Sequence, residues 1–198
     1  MRAAVILFCT GMLAGCTALG LGPGDSASLG RDDSFTAQAA DGLLVYGVTV
    51  RHPGGGPVEG EVVWMAEKAD LSFPEKVAIP LPDGLRAGER AAVVWRVPAG
   101  TWSVRQARWQ APGAGGATSV MSSRSLATTV APGEAVYAGE LVIDAGTRPA
   151  VIELGDDLGA ARADLAAYPG VSVPPTNRPL ADLRVAPPGG HHHAPQFF

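Results

Sequence analysis

Cysteine is nearly absent from this sequence, because its 198 residues contain only Cys9 and Cys16. One pair forms at most one disulfide bond, which excludes the disulfide framework of a small secreted domain. Long hydrophobic runs are absent as well. The one apolar stretch, near the start, is much shorter than the about 20 residues of a membrane-spanning helix. We therefore expect a domain whose stability comes from its own hydrophobic core, which about 140 residues can supply.

Runs of like charge are also missing. Fifteen basic and nineteen acidic residues give a net charge of −4, and they are dispersed along the chain. The sequence has no basic stripe interleaved with aromatic residues, which is the usual mark of a nucleic-acid surface. We expect no nucleic-acid partner and no cofactor.

The first fifteen residues have the three parts of a secretory signal peptide. Arg2 supplies the positive charge, residues 3–8 are apolar, and small residues follow. The next segment, Leu13-Ala14-Gly15-Cys16, resembles the lipobox of bacterial lipoproteins. This resemblance implies cleavage between Gly15 and Cys16 and attachment of a diacylglycerol, with acyl chains such as palmitate, to the Cys16 thiol. The alternative is ordinary secretion, with Cys16 present by chance.

The lipobox resemblance also implies a location. Two or more acyl chains anchor a protein stably in a membrane. In Gram-negative lipoproteins an Asp after the lipidated cysteine tends to cause retention at the inner membrane, and this chain has Thr17 there. The resemblance therefore implies an outer-membrane anchor, with the protein facing the periplasm.

Composition divides the rest of the chain into three parts. Residues 16–40 are small and polar and predict a flexible tether. Residues 41–170 carry the strand and helix patterns of one domain, and residues 171–198 are rich in Pro, Gly and His and predict a disordered tail.

Apolar alternation between Gly- and Pro-rich turns predicts strands throughout the domain. The predicted strands are 43–51, 59–69, 76–81, 91–97, 101–109, 125–130, 136–144 and 149–154. Both faces of the first are apolar, and the prolines around 76–81 place that strand at an edge. The sequence therefore predicts a mainly β fold, an antiparallel β-sandwich of about seven or eight strands.

One short helix follows the last strand. Asp156 or Asp157 serves as its N-cap, and Pro169-Gly170 ends it. Its apolar face consists of Leu158, Ala161, Leu165 and Tyr168. We expect this helix to cap an end of the sandwich or to cover an edge.

Two segments resemble known proteins. Residues 97–104, VPAGTWSV, resemble a strand–turn–strand element of transthyretin-like and carboxypeptidase-regulatory-like β-sandwiches, with Trp102 where those domains often have Tyr. Residues 132–141, PGEAVYAGEL, resemble a motif of poorly characterised proteobacterial lipoproteins, in which a helix like 156–169 often follows. These resemblances imply a sandwich that acts as a binding or structural module.

Few residues carry the pattern of a catalytic site. His52 is the single histidine in the predicted domain, and it lies in a Gly/Pro turn, where a solvated side chain is favoured over a general base. Ser122, Ser123 and Ser125 begin a predicted strand, and none lies in a G-x-S-x-G motif. We therefore expect no catalytic residues and no enzyme.

The acidic residues and the terminal histidines have simple interpretations too. Helix capping explains Asp156 and Asp157 better than a paired-carboxylate site does. Glu134 and Glu140 are typical of a solvated face. The tract of His191, His192 and His193 is the candidate metal site, because imidazoles bind Zn, Cu and Ni, and an inert tail is its favoured alternative.

Four tryptophans lie in or beside predicted strands, where core packing is the default. Trp102 and Trp109 are seven residues apart on one strand, so regular alternation puts them on opposite faces. At least one is then expected near the surface, and both are candidate anchors for a partner.

The sequence thus predicts a lipid-anchored lipoprotein of the cell envelope that binds another envelope component, which is a protein, a glycan or the peptidoglycan. The rival hypothesis is an envelope metal-binding protein or hydrolase that uses His52 or the terminal histidines.

Overall fold

The computed structural model describes residues 27–67, 76–110, 118–147 and 150–182. Within these ranges the chain forms two packed β-sheets and one helix near the C-terminal end, so the predicted mainly β sandwich is confirmed. The strands are β1 (Ala27–Ser28), β2 (Gly42–Arg51), β3 (Glu59–Glu67), β4 (Lys76–Pro80), β5 (Arg90–Val97), β6 (Gly100–Gln110), β7 (Thr118–Val130), β8 (Ala135–Asp144), β9 (Val151–Gly155), β10 (Pro175–Asn177) and β11 (Ala181–Asp182), and the helix is α1 (Leu158–Leu165).

The first sheet has the strand order β1-β5-β2-β8-β10. Along the edge of β8 that faces away from β2, β10 pairs with the first part of the strand and β9 pairs with the later part. Two of its pairings, β2 with β8 and β8 with β10, are parallel, so this sheet is mixed rather than antiparallel throughout. The reason is topological, since these strands are not joined by hairpins and no tight turn determines their relative direction.

The second sheet has the order β11-β7-β6-β3-β4, with every pairing antiparallel. β4 ends in Pro80 and lies at the edge, as the flanking prolines predict. In β6, Arg105 is an extra residue, because Val104 pairs with Trp64 and Gln106 pairs with Val63 on β3. This β-bulge inverts the side-chain alternation in the second half of β6.

The main core lies between the sheets. Its largest fully buried side chains include Tyr46, Trp64 and Trp102, and the rings of Tyr46 and Trp64 lie 5.3 Å apart, inclined by 48°. Burial of such large aromatic surfaces is the principal stabilising contribution expected in a domain without disulfide bonds.

A second, smaller core lies on the outer face of the first sheet. There Leu43 and Val45 of β2 pack with Phe35 and with Ala161 and Leu165 of α1. Both faces of β2 are therefore buried, as its composition predicts. The expected position of the helix at an end or an edge is wrong, because α1 covers a sheet face. The N-cap prediction is confirmed, since Asp157 Oδ1 accepts from the backbone N–H of Ala160 at 2.9 Å.

The tether prediction for 16–40 is wrong for its described part. Residues 27–28 pair with β5, and Leu29 and Phe35 are buried in the second core. Phe35 also forms a β-bridge with Val171. The apolar surface that receives these two side chains exists only once β2, β5 and α1 have assembled. Composition alone therefore does not reveal their burial.

The disordered-tail prediction for 171–198 is wrong for residues 171–182. This segment adds β10 to the first sheet and β11 to the second, and Leu180 is buried in the main core. We call residues 175–182 the C-terminal strap. The strap pairs first with β8 and then with β7, so no single repeat runs through its residues and no pattern in the sequence marks it.

Candidate functional site

The C-terminal strap closes part of one open side of the sandwich. The backbone N–H of Arg178 donates to Tyr137 O at 3.0 Å, and that of Leu180 donates to Ala138 O at 2.9 Å. The strap then crosses to the second sheet, where the Thr128 hydroxyl donates to Arg178 O at 2.8 Å. The same side of the sandwich stays open farther along, between β7 and β9.

That opening is a groove of about 690 Å³ between an edge of each sheet. We call it the β7–β9 groove. Its lining residues are Ser119, Val120, Met121, Ser122, Leu126, Ala150, Val151, Ile152, Glu153 and Leu154. Val120 and Leu126 belong to the main core and Ile152 packs against it, so the floor of the groove is the apolar interior of the sandwich.

The rim of the β7–β9 groove is apolar as well. Met121 is 72% exposed, Leu154 is 42% exposed and Val151 is 38% exposed. Among the residues that the structure describes, these are all of the large hydrophobic side chains that are exposed. An apolar patch concentrated in one place on a surface is typical of an interaction site, whereas isolated exposed apolar residues are ordinary.

Both strands that border the groove present backbone edges to it. Within the described ranges, β9 pairs with β8 alone, and residues 118–121 of β7 pair with β6 alone. Between Leu126 and Met121, β7 leaves its regular pairing, because four residues of β7 there face the single residue Arg105 of β6. A strand edge without a paired neighbour, beside exposed apolar side chains, suits an added extended segment, and the irregular stretch limits where regular pairing can form.

Charge contributes little to the groove. Among the described side chains that line it, Glu153 is the one that carries a charge, and its carboxylate accepts from the Arg51 guanidinium at 3.1 Å. Both side chains are about half exposed, and ion pairs of this kind contribute little to stability. The groove thus favours an apolar ligand with few charges.

A polar cluster joins the helix to the outer face of the first sheet. The Arg90 guanidinium donates to both carboxylate oxygens of Glu140 at 2.9 Å and to Asp164 Oδ2 at 2.7 Å. The hydrogen bonds to Glu140, and then those to Asp164, raise the pKa of Arg90, which stays charged. The Tyr137 hydroxyl donates to Glu140 Oε1 at 2.6 Å and accepts from the Asp157 N–H at 2.9 Å. Burial, and then its bond to Glu140, raises the pKa of Tyr137.

Gly47 makes room for this cluster. A Cβ atom at that position would lie 1.7 Å from Glu140 Oε2, so no larger residue fits without moving the carboxylate. Because its groups are engaged with one another and link α1 to β8, the cluster has the character of a structural support for the helix.

Glu134 is also paired, so the interpretation of Glu134 and Glu140 as a solvated face is wrong. Glu134 accepts two hydrogen bonds from Arg178 of the strap, each at 2.9 Å. Burial acts to raise the pKa of Glu134, but its hydrogen bonds from Arg178 and from the Ala131 N–H prevail and hold it below the usual value. The pair fastens the strap to the turn before β8.

The structure places His52 in a turn, half-buried, where its Nδ1 accepts from the Gly54 N–H at 3.1 Å. His52 and Asp144 line a shallow cavity of about 310 Å³, and no serine is among the residues lining it. Ser122 lines the β7–β9 groove instead, and the side chains of Ser123 and Ser125 lie outside the described residues. Of these sequence-predicted groups, the two whose side chains are described, His52 and Ser122, therefore lie in different places.

The prediction that Trp102 or Trp109 is exposed is wrong. They are 1% and 2% exposed, and both pack in the main core. The bulge at Arg105 adds one residue between them, so two side chains seven positions apart share a face. The Trp102 Nε1–H donates to Pro98 O at 2.9 Å, which satisfies its polar atom. Neither residue is available as a partner anchor.

The predicted lipidation and metal sites lie outside the described residues: Gly15, Cys16, His191, His192 and His193. Among the residues that are described, no three His, Cys, Asp or Glu side chains form a group that could hold a metal ion. In the same part of the chain, no helix is long and apolar enough to cross a membrane. Asp157 caps α1, and Asp156 accepts from the Asn177 amide at 3.2 Å.

Sequence reasoning missed the β7–β9 groove, although one signal was present. In β9, three of the four residues Val151-Ile152-Glu153-Leu154 are apolar, so the strand has apolar side chains on both faces. That pattern is expected of a strand buried on two sides, yet β9 lies at a sheet edge. Apolar residues on the exposed face of an edge strand could have indicated a binding surface.

Comparison with protein-family models, with curated proteins and with solved structures found no match for this chain.

Proposed function

We propose that this protein is a lipid-anchored, non-catalytic binding module of the bacterial cell envelope, held in the outer membrane and facing the periplasm. Its ligand is an apolar segment of another envelope protein, bound in the β7–β9 groove. The observation that carries the binding proposal is the concentration of Met121, Val151 and Leu154 around one groove.

The proposed anchor depends on the sequence Leu13-Ala14-Gly15-Cys16 and its resemblance to a lipobox. Residues 17–26 lie between the Cys16 lipid and the first described strand. Ten extended residues span up to about 33 Å. A chain of ten residues therefore keeps the domain within about that distance of a lipid on Cys16.

The groove supports a protein ligand rather than a sugar polymer. Its floor and rim are aliphatic, whereas recognition of a glycan such as peptidoglycan needs convergent polar groups to satisfy hydroxyls. Free strand edges supply backbone donors and acceptors, which an extended peptide can pair with while its alternate side chains enter the groove.

Lipidation is tested by expressing the full chain in a Gram-negative host with labelled palmitate. We expect label in the wild-type protein and none after Cys16→Ser. Cys9→Ser is the matched control, because Cys9 lies in the segment that cleavage removes, so label should persist. Label in the Cys16→Ser variant, or none in the wild type, would contradict the proposed anchor.

Binding is tested by crosslinking in living cells, with crosslinked partners identified by mass spectrometry. Met121→Glu places a charge on the groove rim and should abolish the specific crosslink. Ala99→Glu introduces the same charge on an exposed residue of the β5–β6 hairpin, at the opposite end of β6, and should leave it unchanged. Equal crosslinking by both variants would show that the groove is not the contact surface.

A further inference from the structure

β9 is an edge strand without the usual protection against pairing. Edge strands of soluble proteins are normally very short, or carry lysines, prolines or bulges that keep another strand away. Among the described strands, β1, β10 and β11 have only two or three residues, and β4 carries an exposed Lys76 and an exposed Pro80. β9 has five residues in regular pairing with β8, and its exposed Val151 and Leu154 are apolar. This edge is therefore suited to accept a further strand.

One hydrogen bond determines the direction of the backbone groups along β8. The Ala145 N–H, directly after β8, donates to Arg51 O of β2 at 2.8 Å. The backbone groups of successive strand residues point alternately to the two neighbouring strands. Asp144 and Val142, at the alternate positions, therefore point their N–H and C=O groups to β9.

The same alternation identifies the free backbone groups of β9. The β9 residues paired with Asp144 and Val142 are Val151 and Glu153, so the N–H and C=O groups of these two bond to β8. Those of Ile152 and of Leu154 point away from β8. Within the described ranges no strand pairs with that side of β9. Two donors and two acceptors are thus available to an added strand.

The neighbouring stretch of the same open side shows what kind of segment fits there. β10 pairs with Ala135–Tyr137 of β8, on the edge that β9 uses farther along, and Leu180 is buried in the main core. The strap is thus an extended segment that pairs with a sheet edge and inserts an aliphatic side chain between the sheets. The β7–β9 groove offers the same two features, which are a free strand edge and an apolar floor.

β7, the other border of the groove, is less suited to receive such a segment. Residues 118–121 of β7 pair regularly with β6, but the stretch from there to Leu126 is irregular. β11 already pairs with Leu126 and Ala127. A strand added to β7 would find four residues in regular geometry, whereas all five residues of β9 pair without interruption.

A second copy of the chain is disfavoured by charge. Glu153 is the middle residue of β9. The antiparallel register that pairs all five residues of two β9 strands places the two Glu153 side chains directly opposite each other. Like charges in that position are destabilising, so a segment of another protein is the better occupant.

We propose that the partner adds an extended segment to the free edge of β9, with apolar side chains beside Ile152 and Leu154 and a basic residue beside Glu153. Ile152 packs against the main core, so side chains next to it and next to Leu154 enter the groove. Glu153 lies on the opposite face and its carboxylate is half exposed, so a lysine or arginine can pair with it. This inference rests on the proposed function, because it names how the partner of the groove binds.

Leu154→Pro tests the strand addition in the full chain, by the same crosslinking in living cells. Proline removes the N–H that points to the free edge and leaves the bonds to β8 in place, so the circular dichroism spectrum should not change. We expect the specific crosslink to fall about tenfold, because a carbonyl of the partner loses its donor. Leu154→Val keeps the N–H and is the matched control, which should crosslink like the wild type.

Hydrogen exchange in the wild-type full chain gives a second measurement that does not depend on the variant. The probe is a blocked synthetic peptide in which two valines flank one lysine, with threonines elsewhere. At millimolar peptide, the amides of Ile152 and Leu154 should exchange about tenfold more slowly, whereas those of Ser119 and Met121 should not change. The same peptide with glutamate in place of lysine is the matched control and should protect β9 less.

An undiminished crosslink in a folded Leu154→Pro variant would overturn the proposal, as would protection of the β7 amides in place of the β9 amides, or no protection at millimolar peptide. Equal protection by the glutamate peptide would overturn the assignment of a basic residue beside Glu153. The two proposals fail separately. If Met121→Glu abolishes the crosslink and Leu154→Pro does not, only the strand addition is refuted, whereas a crosslink that is insensitive to Met121→Glu refutes the groove as the contact surface.

Discussion

Replacing Tyr137 by Phe removes one oxygen atom that joins the first sheet to the helix. That hydroxyl donates to Glu140 Oε1 at 2.6 Å and accepts from the Asp157 N–H at 2.9 Å. A hydrogen bond to a charged group contributes about 1.5–3 kcal/mol and a neutral one about 0.5–1.5 kcal/mol. Phe preserves the packing of the fully buried ring, so no cavity adds to this loss.

The other hydrogen bonds of the cluster reduce the loss of stability in this variant. Glu140 keeps both of its hydrogen bonds to Arg90, and Asp157 is exposed, so water can take the place of the hydroxyl at its N–H. We therefore expect Tyr137→Phe to lower the free energy of unfolding by about 2 kcal/mol, near the lower end of the summed range. Urea denaturation followed by circular dichroism measures this as a lower midpoint with an unchanged m-value.

Tyr46→Phe is the matched control in the main core. The Tyr46 hydroxyl is buried, and no described residue forms a hydrogen bond of normal geometry with it. Burial raises the pKa of Tyr46, and the nearby Trp64 indole opposes this more weakly. Removing a buried hydroxyl without a partner should leave stability unchanged or raise it by about 1 kcal/mol. The reasoning is refuted if Tyr137→Phe costs less than about 0.5 kcal/mol, or if both variants lose the same amount.

Two further predictions concern the ion pairs that hold the helix and the C-terminal strap to the first sheet. Gly47→Ala should destabilise the protein by about 1–3 kcal/mol, because the new Cβ displaces the Glu140 carboxylate from Arg90. A thermal unfolding temperature equal to that of the wild type would contradict this prediction. The pKa of Glu134 is lowered in the folded state by its pairing with Arg178. The pairing therefore stabilises the protein fully at a pH above the usual pKa of 4.5, and this stabilisation is lost as the pH falls through the lowered pKa. Glu134→Gln should therefore be less stable than the wild type near neutral pH, and the difference in urea midpoint should shrink on acidification; a difference that grows on acidification would reverse the assigned sign.

Local patterns in the sequence were enough to predict much of the fold. Alternation and turns predicted the eight longer strands, although β7 begins at Thr118 and not at residue 125 as predicted. Prolines placed β4 at an edge, and a carboxylate before an apolar face located the start of α1. These features depend on interactions between residues a few positions apart, or on the two-residue alternation of a single strand. Neighbouring residues in the sequence are therefore enough to predict them.

The candidate site was not predictable in the same way. The side chain of Trp109 faces the core because β6 contains one extra residue, Arg105. That bulge is recognisable only from the pairing of β6 with β3. The strap has no period of its own, because its contacts come from β8 on one sheet and from β7 on the other. The groove exists because β7 and β9, distant in sequence, border the part of the open side that lies beyond the strap.

The sequence by itself determined that this chain forms a mainly β domain with one capped helix, because strand alternation and helix capping are local. The tertiary structure alone decided which sheet face the helix covers, that both Trp102 and Trp109 lie in the core, and where an apolar groove stays open. Those outcomes depend on register and on which edges meet, and both are determined by contacts between residues that are far apart along the chain.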